Sequence, residues 1–170
     1  MKKLIALIIV SLIFVSCSGY KIGSMGHPQI KRVSIGKIKN LSDEPRLALY
    51  MMEKLKEAIR QDGTYELVNH GHGRADAIIQ GTLPSFTYQS RGSVQSGNND
   101  KNYRSDIYRA TVTFKYEVVT PKGLIIQTLT LKGSSDFSES ISMEQERSDG
   151  LRRACYNLST KVVTQLSEGW

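Results

Sequence analysis

The chain has 170 residues, with 23 Lys and Arg against 16 Asp and Glu, a formal net charge of +7, and 39% hydrophobic residues. That balance suits one domain around one core and excludes a disordered chain, and two cysteines are too few for a disulfide-built scaffold. Internal repeats, low-complexity tracts and basic runs are absent, which argues against a solenoid or a nucleic-acid-binding tail.

The N-terminus reads first as a targeting segment. Met1-Lys2-Lys3 is a cationic head, and Leu4 to Val15 is apolar apart from Ser11. About twelve apolar residues fall short of the roughly 20 a membrane-spanning helix needs, but they suit the apolar stretch of a secretory signal. Phe14-Val15-Ser16-Cys17 resembles a bacterial lipobox, with Phe14 where Leu is usual. The expectation is cleavage of a signal peptide, residues 1–16, and attachment of diacylglycerol and an N-acyl chain to Cys17. Ordinary cleavage or a free thiol are the alternatives. Ser18, in place of an Asp after the cysteine, favours the outer membrane. Loss of Lys2 and Lys3 lowers the charge to about +5, which still suits an anionic partner such as lipid head groups or lipopolysaccharide phosphates.

Residues 17–29, with Gly19, Gly23, Gly26 and Pro28, read as a lipid-attached tether, and 30–170 as a single domain. Lys31 to Ile38 alternates as a short strand. Asn40-Leu41-Ser42-Asp43-Glu44-Pro45 reads as a helix entry, with cap-type side chains, acids for the helix dipole and Pro in the first turn. Leu47, Met51, Leu55, Ala58 and Ile59 then share one helical face, and Gly63 stops the helix. Tyr65 to Asn69 is a candidate short strand, and Ala75 to Tyr88 a longer one with Ala77, Ile79, Gly81 and Leu83 on one side.

The clearest pattern follows. Tyr108, Ala110, Val112, Phe114, Tyr116 and Val118 alternate with Arg109, Thr111, Thr113, Lys115 and Glu117, which predicts an antiparallel sheet with one buried and one polar face. Pro121-Lys122-Gly123 turns the chain into a strand from Leu124 to Lys132. Gly133 to Ser142 reads as a polar connection. Leu151, Ala154, Cys155, Leu158, Val162 and Leu166 form the apolar stripe of a last helix. The predicted fold is a two-layer α+β sandwich, two helices on one face of a mostly antiparallel four-stranded sheet in the order β-α-β-β-β-α.

Little in this pattern suggests catalysis. His70 and His72 could reach one ion, but no Cys, Asp or Glu nearby completes a set and His27 is remote, so no metal or other cofactor is expected. Cys155 lies on an apolar stripe without an activating base and reads as core. No carboxylate pair or phosphate-binding glycine loop is evident, so the chain does not read as an enzyme. The long polar segment Ser90 to Arg104, with a tip at 92–102, carries Arg91, Lys101 and Arg104. It reads either as a solvated tip or as a contact for an anionic ligand or a partner protein, where Arg gives bidentate phosphate contacts.

Four features in order resemble the LptE family of outer-membrane lipoproteins: Cys17-Ser18-Gly19-Tyr20; Val33-Ser34-Ile35 leading through Asn40 into an amphipathic helix; Arg74-Ala75-Asp76-Ala77-Ile78-Ile79-Gln80-Gly81; and an amphipathic C-terminal helix ending at Leu166-Ser167-Glu168-Gly169-Trp170. The resemblance implies a non-enzymatic role: plugging an LptD-type outer-membrane β-barrel and assisting lipopolysaccharide assembly at the cell surface. It implies lipopolysaccharide as a bound partner and no nucleic acid. Arg91, Lys101, Arg104, Arg109 and Lys115 are the candidate contacts, with the polar sheet face suited to a water-lined barrel interior. The long tip is a departure from the family.

Overall fold

The structure, a computed structural model, describes residues 29–71, 74–96, 103–138 and 143–168, with backbone alone at 93–96 and 103–105. The elements are β1 (Arg32–Asn40), α1 (Leu47–Asp62), β2 (Glu66–Leu67), β3 (Ala77–Ser96), β4 (Tyr103–Val119), β5 (Ile125–Ser138) and α2 (Met143–Glu168). The signal, Cys17 and the tether lie outside the described residues, apart from residue 29.

Two helices cover one face of the sheet, as the one-sided apolar faces require. The sheet itself differs from the expected one. It has five strands in the order β2-β1-β3-β4-β5, and β1 lies parallel to both neighbours. A helix between two strands returns the chain to the end where it started, so α1 makes β2 run the same way as β1, and the chain returns a second time between β2 and β3. Only β3, β4 and β5 form the antiparallel meander.

Two boundaries also move. Gly133 to Ser138 belongs to β5 instead of a connection, and β3 and β4 stay paired out to Ser96 and Tyr103, so residues 92–96 of the expected tip are strand and 97–102 lie outside the described residues. The Pro45 region moves as well. It forms a turn before α1, whose N-cap position is Arg46 with no side-chain cap and no acid in the first turn. Asn40 organises that turn, donating from Nδ2 to Glu44 O at 2.7 Å and accepting from Ser42 N at 3.0 Å. At the other end Gly63 adopts φ 71° and its N–H bonds Ile59 O, as expected of the stop.

The core joins both layers. Leu47, Met51, Leu55 and Ile59 of α1 meet Leu151, Ala154, Leu158 and Val162 of α2 over Ile79, Val112, Phe114 and Tyr116. Every residue of the predicted α2 stripe is buried, and so is Ser159. Contact of α2 with β5 depends on Gly133: a Cβ there would lie 2.5 Å from Ala154 O and 2.7 Å from Leu158 N, and closer still to Leu158 Cβ. The helix also clasps the sheet edge, through three side chains four residues apart. Arg153 Nε donates to Ser135 Oγ at 3.3 Å, Asn157 Nδ2 to Ser134 O at 2.9 Å and Lys161 Nζ to Lys132 O at 2.9 Å. With the carbonyls of Lys132 and Ser134 occupied, this part of the edge is a poor template for a stray strand.

Candidate functional site

The face of the sheet turned away from the helices is the first candidate. Strand alternation puts Arg109, Thr111, Thr113, Lys115 and Glu117 of β4 on it, and the register lines them up with neighbours. Successive rows are Gln89–Arg109–Asp136, Thr87–Thr111–Ser134, Ser85–Thr113–Lys132 and Thr82–Lys115–Thr130, and Lys39 of β1 extends the last row. Ser85 Oγ and Thr113 Oγ1 are 3.1 Å apart. A shallow depression of about 370 Å³ opens between Lys37, Lys39, Gln80, Thr82, Lys115 and Glu117. Three cations and one acid around hydroxyl and amide groups make this a wet, positively biased surface.

At the base of the hairpin arm the charges are paired. Arg109 forms a two-pronged bond with Asp136, Nη2 to Oδ2 at 2.6 Å, with Nε on Oδ1. That bond holds the Asp136 carboxyl below the usual range, and exposed Arg91 adds to the effect. Of the expected contact residues, Arg109 is bonded to Asp136, and Arg91 acts on the same carboxylate through its charge. Lys115 lies six residues along β4 from Arg109, roughly 20 Å at strand rise. Lys101 lies outside the described residues, and of Arg104 only the backbone is described, paired with Gln95.

A second candidate escaped the sequence. Between the N-terminal ends of α1 and α2 is a cleft of about 300 Å³ bounded by Arg46, Tyr50, Tyr88, Arg147, Ser148 and Leu151. The Arg147 guanidinium lies 4.3 Å from the Tyr88 ring centre, and Arg152 lies 4.9 Å from that of Tyr50. Tyr50 Oη and Ser148 Oγ are 3.2 Å apart, and that hydrogen bond, helped by Arg152, lowers the phenol's pKa. Burial raises that of Tyr88. Tyr88 also packs edge-on against Phe86 and Phe137. The partners lie 59 and 98 residues apart, so spacing gives no sign of them. Glu44 and Glu144 in the same wall offset the arginines.

Cys155 is wholly buried and its thiol is pushed up to about 12 by desolvation. His70 is exposed, while His27 and His72 lie outside the described residues, among which no group of three metal-ligating side chains gathers.

Comparison with known proteins adds a family and a fold. The family model described as LptE, lipopolysaccharide-assembly, matches residues 30–166. No curated protein matches the chain. Among solved structures, the hypothetical protein CT253 from Chlamydia trachomatis superposes with a TM-score of 0.55 at 9% identity, covering 81% of this chain and 96% of that one. A PelC dodecamer from Paraburkholderia phytofirmans gives 0.50 at 14% identity, covering 87% and 92%. At such identities the likeness concerns the fold alone.

Proposed function

The chain belongs to the LptE family of lipopolysaccharide-assembly proteins, and from that premise we propose that it is an outer-membrane lipoprotein that partners and plugs an LptD-type β-barrel. In this reading residues 1–16 are a signal peptide, Cys17 is acylated, residues 17–29 are a tether and residues 30–170 form the domain. The role is non-enzymatic: the domain sits in the barrel lumen and assists delivery of lipopolysaccharide. One observation supports this beyond family membership. The helix-free sheet face carries rows of Thr, Ser, Gln, Lys and Arg from Gln89 to Thr128, a surface that keeps its hydrogen bonds against a water-lined wall. Arg91, Lys101, Arg104, Arg109 and Lys115 are the proposed contacts to lipopolysaccharide phosphates or to the wall.

The test is an affinity pull-down from detergent-solubilised outer membranes, with a photoreactive residue at Thr113 on the sheet face or at Thr160 on the exposed side of α2. A barrel-sized crosslink from position 113 is expected. Co-purification of the barrel with crosslinking from 160 alone would overturn the orientation. Capture of no barrel would favour a lipid-anchored binding or scaffold module of another envelope transport or secretion machine.

A further inference from the structure

The edges of the sheet are not equally protected. β2 is two residues long, β1 beyond Val33 carries exposed Lys37 and Lys39, and α2 occupies the carbonyls of Lys132 and Ser134 on β5. Short edges, lysines and covering elements are the usual defences against stray pairing. One stretch of β3 lacks them. Its pairing with β1 ends where Asn40 meets Leu83, and the chain then leaves through the turn at Pro45, while β3 runs on to Ser96. Ser85-Phe86-Thr87-Tyr88-Gln89-Ser90 on that stretch carries no charge and holds three strong strand formers.

The register shows which backbone groups face that edge. Lys132 O and Ser134 O turn outward from β5 to α2, so Thr113 and Thr111 opposite them turn their backbone groups to β3 and pair with Ser85 and Thr87. The alternate residues Phe86, Tyr88 and Ser90 therefore direct N–H and C=O away from β4. No backbone partner for them lies among the described residues.

A row of free donors and acceptors at strand spacing takes one kind of partner, another extended chain. Such a strand continues the line of β1 past Leu83. Its side chains on the helix side, opposite Tyr88, then meet the cleft of about 300 Å³ between Tyr50, Tyr88, Arg147 and Leu151, whose outer wall is the Pro45 turn. Two tyrosines, a leucine and a guanidinium already stacked on a ring suit a flat aromatic side chain. The opposite side chains join the polar rows at Thr87 and Gln89.

We infer that the β3 edge from Phe86 to Ser90 takes up an extended segment of the partner barrel protein, with an aromatic side chain of that segment in the cleft. This rests on the barrel partnership proposed above. The segment must come from a loop folded into the lumen, because a closed barrel has no strand edge to offer. A second copy of this chain fits less well, since pairing two such edges brings Arg46, Arg91 and Arg147 of one copy toward those of the other.

The experiment uses the full chain, free and co-purified with the barrel in detergent, and reads hydrogen exchange amide by amide along β3. In the free chain Thr87 and Gln89, bonded to β4, exchange slowly, and Tyr88 and Ser90 fast. In the complex Tyr88 and Ser90 are expected to slow by about tenfold or more, which erases the alternation. Ser90→Pro removes an outward N–H and leaves the β4 ladder intact, so barrel recovery should fall several-fold with little change in melting temperature. Ser148→Phe, which fills the cleft, should lower recovery likewise, and unaltered recovery would remove the aromatic anchor. Should a variant misfold, exchange in the unsubstituted chain still decides. Three results would overturn the inference: Tyr88 and Ser90 equally fast in both states, slow in the free chain at every concentration (an edge covered by the chain itself), or slow in the free chain only when concentrated (a second copy). Barrel capture with unchanged exchange removes the inference alone. Capture of no barrel removes the partnership, and the inference with it.

Discussion

Asp76 grips Arg32 through both side chain and backbone. Its Oδ2 accepts from Arg32 N at 2.9 Å, its Oδ1 from Arg32 Nη2 at 2.9 Å, and its own N–H donates to Arg32 O at 2.8 Å. Lys31 N adds a further bond to Oδ2 at 3.1 Å. One carboxylate thereby pins the start of β1 to the start of β3, and Arg32 first, then its backbone, lowers the carboxyl pKa to about 2.

Asp76→Asn should lower the melting temperature at neutral pH, because the ion pair and its charge-assisted bonds are lost. The sign of the pH dependence follows from the lowered pKa. The ionised form is favoured by folding, so its contribution is complete above an unfolded-state value of about 4 and is lost as pH falls through about 2. Thermal melts of parent and variant should therefore converge between those values. A constant gap down to pH 2 would mean that the carboxylate charge is not what stabilises this corner.

Gly133→Ala should be among the most damaging single-atom-scale changes in the chain. Its Cβ meets the α2 backbone at Ala154 O and Leu158 N, so strand and helix must separate, at a cost of about 3 kcal/mol or more. Gly123→Ala is the comparison: φ is +84° but nothing lies within 4 Å, so only backbone strain of about 1–2 kcal/mol is expected. Urea unfolding of the two variants decides the order.

Leu158→Ala should cost about 2–5 kcal/mol, since the side chain is wholly buried between the layers. Thr160→Ala is a suitable control, exposed and bonded only to Tyr156 O of its own helix, with an effect of about 0.5 kcal/mol or less. Ser159 cannot serve, because it is buried against Met51. Similar midpoints for Leu158→Ala and Thr160→Ala would place α2 outside the core.

The two cysteines should behave as opposites. Cys155, buried and with its thiol pushed up to about 12, should resist a thiol reagent at about pH 8 in the native protein and react once guanidinium unfolds it. Cys17 should be blocked by acylation, visible as added mass, and Cys17→Ala should release the protein from membranes or leave the precursor uncut. Reaction of Cys155 in the folded state would contradict its burial.

What the sequence disclosed was set by period and local chemistry. The α2 stripe and the β4 alternation are local patterns, and both recur in the structure: the whole stripe is buried, and so is the inward set of β4 from Ala110 to Val118, with Tyr108 half-buried. The parallel placement of β1 was hidden because it results from where α1 returns the chain. Gly133-Ser134-Ser135 looks like a loop by propensity, yet it is a strand because α2 needs a bare backbone to approach and supplies Asn157 and Lys161 to its carbonyls. At the candidate surface, Arg109 was legible from alternation, but its partner Asp136 was not, being 27 residues away in a segment read as a connection. The Tyr88–Arg147 stack was likewise invisible, as it joins a strand to the N-terminal end of a helix 59 residues away.

The parallel seating of β1 also governs the order in which the chain can fold. Synthesis delivers β1 first, but its inner partner begins at Ala77, and Asp76, which pins it, follows Arg32 by 44 residues. The antiparallel ribbons β3–β4 and β4–β5 close over short sequence distances and can form as soon as they emerge, whereas β1 must wait and then enter between β2 and β3. Until then Ile35 and Ile38 have no neighbour strand, because the two residues of β2 reach only Arg32 and Val33. The earliest strand made is thus among the last to be committed, and a nascent chain stalled before residue 77 would carry a naked, adhesive strand next to its own N-terminal apolar segment.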